Sequence, residues 1–220
     1  NGMIVEVDSS GEIRYQRTDL QSEEIIYNKV IVPRSGEYFV TLCDGSKVWL
    51  NADTEFEFPV NFSETIREVR LKGEAYFAVA KDLKKKFVVS APHSSQIEVL
   101  GTHFNVEAYE DEPDVSTTLV EGQVCFHFSD KDYLAKKVVM KPGQRLVYSS
   151  TNGDVQLYAT SCLSETAWKD GKIIFNNTPL DVALRMLEKR FNVTFKLKNA
   201  RLKTNAFTAH LLNSGWNVFW

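Results

Sequence analysis

The sequence predicts a mainly β chain: an antiparallel β-sandwich, jelly-roll-like, carrying a small C-terminal α/β lobe with one clear helix. Three observations carry this. Residues 69–80 alternate, with Val69, Leu71, Gly73, Ala75, Phe77 and Val79 on one face and Arg70, Lys72, Glu74, Tyr76, Ala78 and Ala80 on the other, the period of a strand with one face in a core. Turn signals recur about every 8–12 residues from Val30 to Tyr158, separating about a dozen short apolar runs. No helical period follows any of these runs before Thr178.

The chain divides into a lead-in or linker with candidate strands (1–29), the sandwich (30–162) and a β-α-β-β lobe (163–220). In the lead-in, residues 3–7 and 12–15 are expected to pair as a hairpin around Ser9-Ser10-Gly11. Residues 30–32 form a strand that ends at Pro33 and turns at Ser35-Gly36. Residues 37–42 and 47–50 flank Asp44-Gly45, a hairpin signal in which both central positions call for positive φ. Trp49 is expected in the core beside Val48 and Leu50. Phe56, Phe58, Val60 and Phe62 alternate, and Pro59 marks that run as an edge or a bulge. After residues 69–80, Lys84-Lys85-Lys86 reads as a solvated loop tip, and 87–91 as a short strand closed by Pro92.

Ile97 and Val99 then hold the odd face, whereas Phe104, Val106 and Ala108 hold the even one. The flip needs an extra residue, which predicts a β-bulge at Gly101 that bends the strand or moves it between sheets. Val115, Thr117 and Leu119 start the next strand, Glu121-Gly122 interrupts it, and Val124, Phe126 and Phe128 continue. Lys141-Pro142-Gly143 is a turn and Asn152-Gly153 a hairpin signal. In the lobe, Thr178 reads as an N-cap, Pro179 as the first helical residue and Asn192 as a left-handed stop. Leu180, Ala183, Leu184, Leu187 and Phe191 form one apolar stripe. Val193, Phe195 and Leu197, then Phe207, Ala209 and Leu211, alternate as two strands. A unit of about 50 residues seldom supports itself, so the lobe is expected to pack on the sandwich or on a partner.

A formal net charge of −3 and a pI near 5.9 argue against a general nucleic-acid binder, which needs a basic surface. No apolar run approaches the roughly 18–20 residues that cross a bilayer, so a membrane segment, if the protein has one, lies outside these residues. Cys43, Cys125 and Cys162 are widely spaced and are expected to be free, mostly buried thiols. His93, His103, His127 and His210 are scattered, without ligand spacing. With no nucleophile elbow and no phosphate-cradling loop, catalytic, metal and cofactor residues are all assigned as none. Glu74, Glu98 and Glu107 lie on strands, where paired carboxylates could hydrolyse glycosides. The favoured reading is charge on an exposed face, opposite cations, with no second acid that sequence places beside Glu74.

Several segments resemble the FecR family: Val32-Pro33-Arg34-Ser35-Gly36-Glu37-Tyr38, Leu42-Cys43-Asp44-Gly45 through Trp49-Leu50-Asn51, Leu71-Lys72-Gly73-Glu74-Ala75-Tyr76-Phe77, Val99-Leu100-Gly101-Thr102-His103-Phe104, Val120-Glu121-Gly122-Gln123 and Lys141-Pro142-Gly143-Gln144. Trp168-Lys169-Asp170-Gly171 with Asn176-Asn177-Thr178-Pro179-Leu180 is similar to the family's small C-terminal lobe, itself like the short domain at the N-termini of secretins and TonB-dependent transporters. The resemblance makes Asp44, Gly45, Trp49, Gly73, Glu74, Phe77, Gly101, Phe104, Gly122, Pro142 and Gly143 a structural signature. Ser35 stands where the family usually has Gly, and Cys43 where it more often has Pro or Ser. After Leu211 the family's second helix and last strand do not follow.

What the resemblance implies is regulation: a periplasmic, signal-receiving domain of a transmembrane anti-sigma factor. It would be anchored to the inner membrane through a helix outside these residues, and would reach an extracytoplasmic-function sigma factor through a cytoplasmic segment. Its outer partner would be the N-terminal signalling domain of a TonB-dependent outer-membrane transporter; no cofactor and no nucleic acid are implied. The expected partner-binding residues are Val193, Phe195, Leu197, Phe207, Ala209 and Leu211, on strand edges that could accept a partner strand. The alternative from another class is a secreted carbohydrate-binding or glycan-degrading β-sandwich.

Overall fold

The structure is a computed structural model that describes residues 4–7, 13–16, 25–129 and 134–212. The Ser9-Ser10-Gly11 turn and the tail after Leu212, with Trp216 and Trp220, lie outside the described residues. In chain order the strands are β1 (Ile4–Val7), β2 (Ile13–Gln16), β3 (Tyr27–Val32), β4 (Tyr38–Thr41), β5 (Lys47–Leu50), β6 (Thr54–Pro59), β7 (Ile66–Ala78), β8 (Lys86–Ala91), β9 (Ser95–Val99), β10 (His103–Ala108), β11 (Asp114–Glu121), β12 (Val124–Ser129), β13 (Ala135–Met140), β14 (Gln144–Ser149) and β15 (Val155–Ala159). A short helix α1 (Leu163–Thr166) runs into a 3-10 turn (Ala167–Asp170), and β16 (Lys172–Pro179), α2 (Leu180–Phe191) and β17 (Ala206–Leu212) complete the lobe.

Strands β1–β15 form one curled sheet that folds into two layers, and β16 pairs with β17 in a separate sheet. One layer runs β1-β2-β4-β5-β7-β10-β11-β14-β15, and the other runs β3-β6-β7-β8-β9-β12-β13. β7 belongs to both. Its first part pairs with β8 and β6 up to Lys72, and from Gly73 onward it pairs with β10 and β5. Gly73 sits at the switch with φ 124°, and a Cβ there would lie 2.7 Å from the Thr54 Cα, so only glycine fits. Gly101, expected as a β-bulge, lies instead in the connection between β9 in one layer and β10 in the other, so the chain does change layers there, and Gly122 separates β11 from β12 in the same way. After β7 the chain crosses back and β8 runs beside the start of β7 in the same direction, so this pair is parallel, as is β2 with β4. The lead-in strands expected to pair do so: Ile4 is in register with Gln16, and β2 adds to β4.

The core lies between the layers. Phe77 stacks on Phe104 with centroids 5.0 Å apart and meets Phe56 and Phe87 edge-on. Each such fully buried side chain contributes roughly 1.5–3 kcal/mol by leaving water. One cation is buried with them. Arg67 is 2% exposed, pairs with Asp44 at 2.8 Å and donates to the carbonyls of Ala80 and Lys85. Asp44 is thus a counter-ion as well as a turn residue.

Several expectations are corrected. Trp49 is not core: the strand alternation buries Val48 and Leu50, and turns Trp49 outward onto Phe39 and Tyr76. β6 is not an edge strand but lies between β3 and β7; Pro59 is tolerated because it is the last residue, beyond the β7 ladder that ends at Glu57. In the Asp44-Gly45 turn only Gly45 has positive φ (81°), so it is not the doubly left-handed form. Of the three free cysteines only Cys162 is buried. Residues 193–197 form no strand, since they pair with none of the described strands. Thr178 lies in β16 opposite Phe207, and α2 starts one residue later than expected. Its first N–H groups, on Leu180 and Asp181, donate to the carbonyls of Asn205 and Lys203 in place of a side-chain cap. Asn192 does end the helix in the left-handed conformation.

Candidate functional site

The alternation of β7 changes character halfway. Arg70 and Lys72 point outward into solvent, but the next two outward residues, Glu74 and Tyr76, are buried at 6% and 7% exposure. The lobe covers them. Exposed-face charge is therefore the wrong reading of Glu74.

Glu74 is held by two amides. Asn51 Nδ2 donates to Oε2 at 2.7 Å and Asn105 Nδ2 to Oε1 at 2.9 Å. The oxygens of both amides are already committed: Asn51 Oδ1 accepts from the Ala52 N–H, and Asn105 Oδ1 accepts from Trp168 Nε1 at 3.1 Å. Because an indole N–H can only donate, it fixes the Asn105 flip and turns the NH2 group toward Glu74. The Glu74 backbone is also anchored, its N–H donating to Thr54 Oγ1 and its carbonyl accepting from the Asn51 N–H. The side-chain partners are amides, not the cations expected opposite it.

A second acid is in place after all. Glu107 on β10 is in register with Glu74 on β7. Arg145 on β14 answers it at 3.1 Å and also reaches Glu165 of α1 at 3.4 Å. Burial, and next the Glu107 charge, push the Glu74 carboxyl up to about 8, against the pull of the two amides.

The lobe is clamped at further points. Lys189 of α2 sits 3.3 Å from the centre of the Tyr109 ring and pairs with Glu112, while Arg190 pairs with Glu37. The Ser35 N–H caps the helix end by donating to the Lys189 carbonyl at 2.9 Å, with Ser35 itself at φ 65°. Tyr109, its hydroxyl donating to the Ala52 carbonyl, is pushed well above its ordinary pKa, chiefly by burial.

The lobe's outer side is less complete. Of the α2 stripe only Ala183 is fully buried; Leu180, Leu184, Leu187 and Phe191 are half-buried. Among the expected partner-binding residues, Phe207, Ala209 and Leu211 share β17, which pairs with β16 alone among the described strands. Phe207 packs on Phe175 at 5.1 Å, and Leu211 is exposed. Val193, Phe195 and Leu197 stay outside the sheet, with the Phe195 N–H donating to Glu188. The signature residues not yet placed, Pro142 and Gly143, form the turn that carries β13 into β14, with Gly143 at φ 78°.

Sequence reasoning missed Asn51, Asn105 and Glu107 as partners of Glu74, and missed Trp168 as the residue that covers it. One signal was available: the outer face of residues 69–80 loses its charge after Glu74, passing to Tyr76, Ala78 and Ala80.

Fold and junction together define a two-part module, a β-sandwich with an α/β lobe locked onto one face. Residues 29–125 match the family model described as FecR protein, and residues 172–215 match FecR, C-terminal. The chain belongs to the FecR family. Two crystal structures described as a "putative anti-sigma factor" from Parabacteroides distasonis are similar to it: each has a TM-score of 0.78 and covers 86% of this chain and 86% of its own, at 28% and 27% identity. No curated protein matches the sequence.

Proposed function

We propose that the chain is the signal-receiving region of an anti-sigma regulator, lying in the periplasm and tied to the inner membrane by a segment outside these residues. It relays the state of a TonB-dependent outer-membrane transporter to an extracytoplasmic-function sigma factor. The observation that carries this reading is the ordered pair of family matches, sandwich then lobe, on a fold shared with structures described as anti-sigma factors. The half-covered α2 stripe and the edge of β17 that no described strand pairs with give the transporter's N-terminal signalling domain a surface to occupy. A partner on that surface can act on the membrane-linked whole only if it favours one state of the receiver over another. The junction around Glu74 connects the lobe to the strand shared by both layers.

The test is calorimetric titration of this chain with the N-terminal signalling domain of a TonB-dependent transporter from the same genome. Saturable binding is expected, weakened at least about tenfold by Leu211→Asp on β17. Absence of binding by any such domain, or binding indifferent to Leu211→Asp and to Phe195→Asp, contradicts the proposal.

A further inference from the structure

We propose that Glu74 and Glu107 form a one-proton latch: with the proton on the pair, Trp168 stays docked through Asn105 and the lobe is held on the sandwich; without it, the lobe loosens. This goes beyond the receiver reading and stands if that reading fails.

Glu74 and Glu107 face each other in register across β7 and β10 and line the same cleft under the lobe. Both oxygens of Glu74 accept from amides whose own oxygens are occupied, so neither amide is free to accept a proton from Glu74, and Glu107 is the acid in register with it. Cations near the pair are largely spoken for. Arg145 divides itself between Glu107 and Glu165, and Lys189 is engaged with Glu112 and the Tyr109 ring. Lys172 lines the cleft without an ion pair to either acid. Arg185 and Arg190, also in the lining, pair with Asp181 and Glu37, and the Tyr109 hydroxyl donates to the Ala52 carbonyl.

Two carboxylates so placed cannot both ionise without cost, and sharing one proton removes the repulsion. The burial that lifts the Glu74 carboxyl toward about 8 is completed by the lobe that carries Trp168. Undocking would hydrate the pair and let the proton go, so docking and proton uptake are linked.

The indole N–H of Trp168 reports the latch directly. In a 15N-labelled chain it is assigned by its loss in Trp168→Phe and followed from pH 5 to 9. A titration is expected with its midpoint above pH 7, the high-pH form showing a solvent-exchanging indole. Glu107→Gln keeps an acceptor for Arg145 and removes the opposing charge, and should lower the midpoint by about one unit. An indole signal unchanged across the range, or the same midpoint in Glu107→Gln, overturns the latch. The 13Cδ resonance of Glu74 in the unsubstituted chain provides a check free of any variant; a midpoint near the ordinary carboxylate value overturns it as well.

Discussion

Trp168 Nε1 donates to Asn105 Oδ1 at 3.1 Å, and through that one bond the lobe dictates how Asn105 presents its amide to Glu74. The distance in sequence is 63 residues, and the bond joins the turn that leads into the lobe to the strand next to β7. Trp168→Phe keeps most of the packing and removes the donor, leaving a buried carbonyl oxygen unpaired. A loss of about 1–3 kcal/mol is expected by denaturant unfolding. Trp168→Ala also opens a cavity and should cost about 3–5 kcal/mol.

Glu74→Gln places an NH2 group against one of two amide NH2 donors. A destabilisation of about 1–3 kcal/mol is expected, with no effect on the secondary structure seen by circular dichroism. The cost should depend on pH. The folded value of about 8 lies above the ordinary 4.5, so between those limits the folded chain holds a proton that the unfolded chain has released. This contribution is complete below about 4.5 and is lost as the pH rises through about 8. Unfolding curves from pH 5 to 9 should show the unsubstituted chain losing stability with rising pH relative to Glu74→Gln; parallel curves would remove Glu74 from the account.

Gly73→Ala should be among the most damaging single changes. Its positive φ and the 2.7 Å approach to Thr54 Cα leave no room for a methyl group at the point where β7 changes layers. A loss of about 3 kcal/mol or more is expected. Gly45→Ala is the control: it shares the positive φ but meets nothing within 4 Å, so it should cost only about 1–2 kcal/mol.

Ser35→Gly should stabilise. Ser35 is held at φ 65° to cap the end of α2, a conformation that disfavours a side chain by about 1–2 kcal/mol. Part of that gain returns as the chain entropy of glycine in the unfolded state. A net rise of a few tenths to about 1 kcal/mol is expected, read as a higher melting temperature. A lower one would mean that the Ser35 side chain contributes something its backbone N–H does not.

The layers were legible in the sequence because burial on one face imposes a period of two. Residues such as Ile97, Val99, Phe104 and Val106 could be assigned to the core, and the phase flip at Gly101 marked a crossing between layers. Partnership was not legible. Nothing in the local pattern places Glu107 opposite Glu74, because register between β7 and β10 is set by strands and corners elsewhere. The same limit produced the error at residues 193–197, whose alternation is genuine but which pair with none of the described strands. Trp49 misled for a different reason: a large aromatic ring was weighed above the phase of its own strand, which sends Val48 and Leu50 inward.

Removal of the lobe should be designed around Trp168. A chain ending after Leu163 loses Glu165 and Trp168, and uncovers Glu74 and Tyr76. One ending after Gly171 keeps both contacts. The longer form should unfold as a stable sandwich, and the shorter one should lose several kcal/mol, on the scale of a removed buried aromatic and an exposed polar network. Equal stability of the two forms would mean that the cover over Glu74 is not structural.

The relay from lobe to strand is tested most directly by a double-mutant cycle between Trp168→Phe and Glu74→Gln. The two side chains share no hydrogen bond with each other, and each bonds the amide of Asn105. If the amide transmits the constraint, the two losses should fall short of additivity by at least about 0.5 kcal/mol. Additivity within about 0.3 kcal/mol would contradict the relay and leave the lobe merely resting on the sandwich.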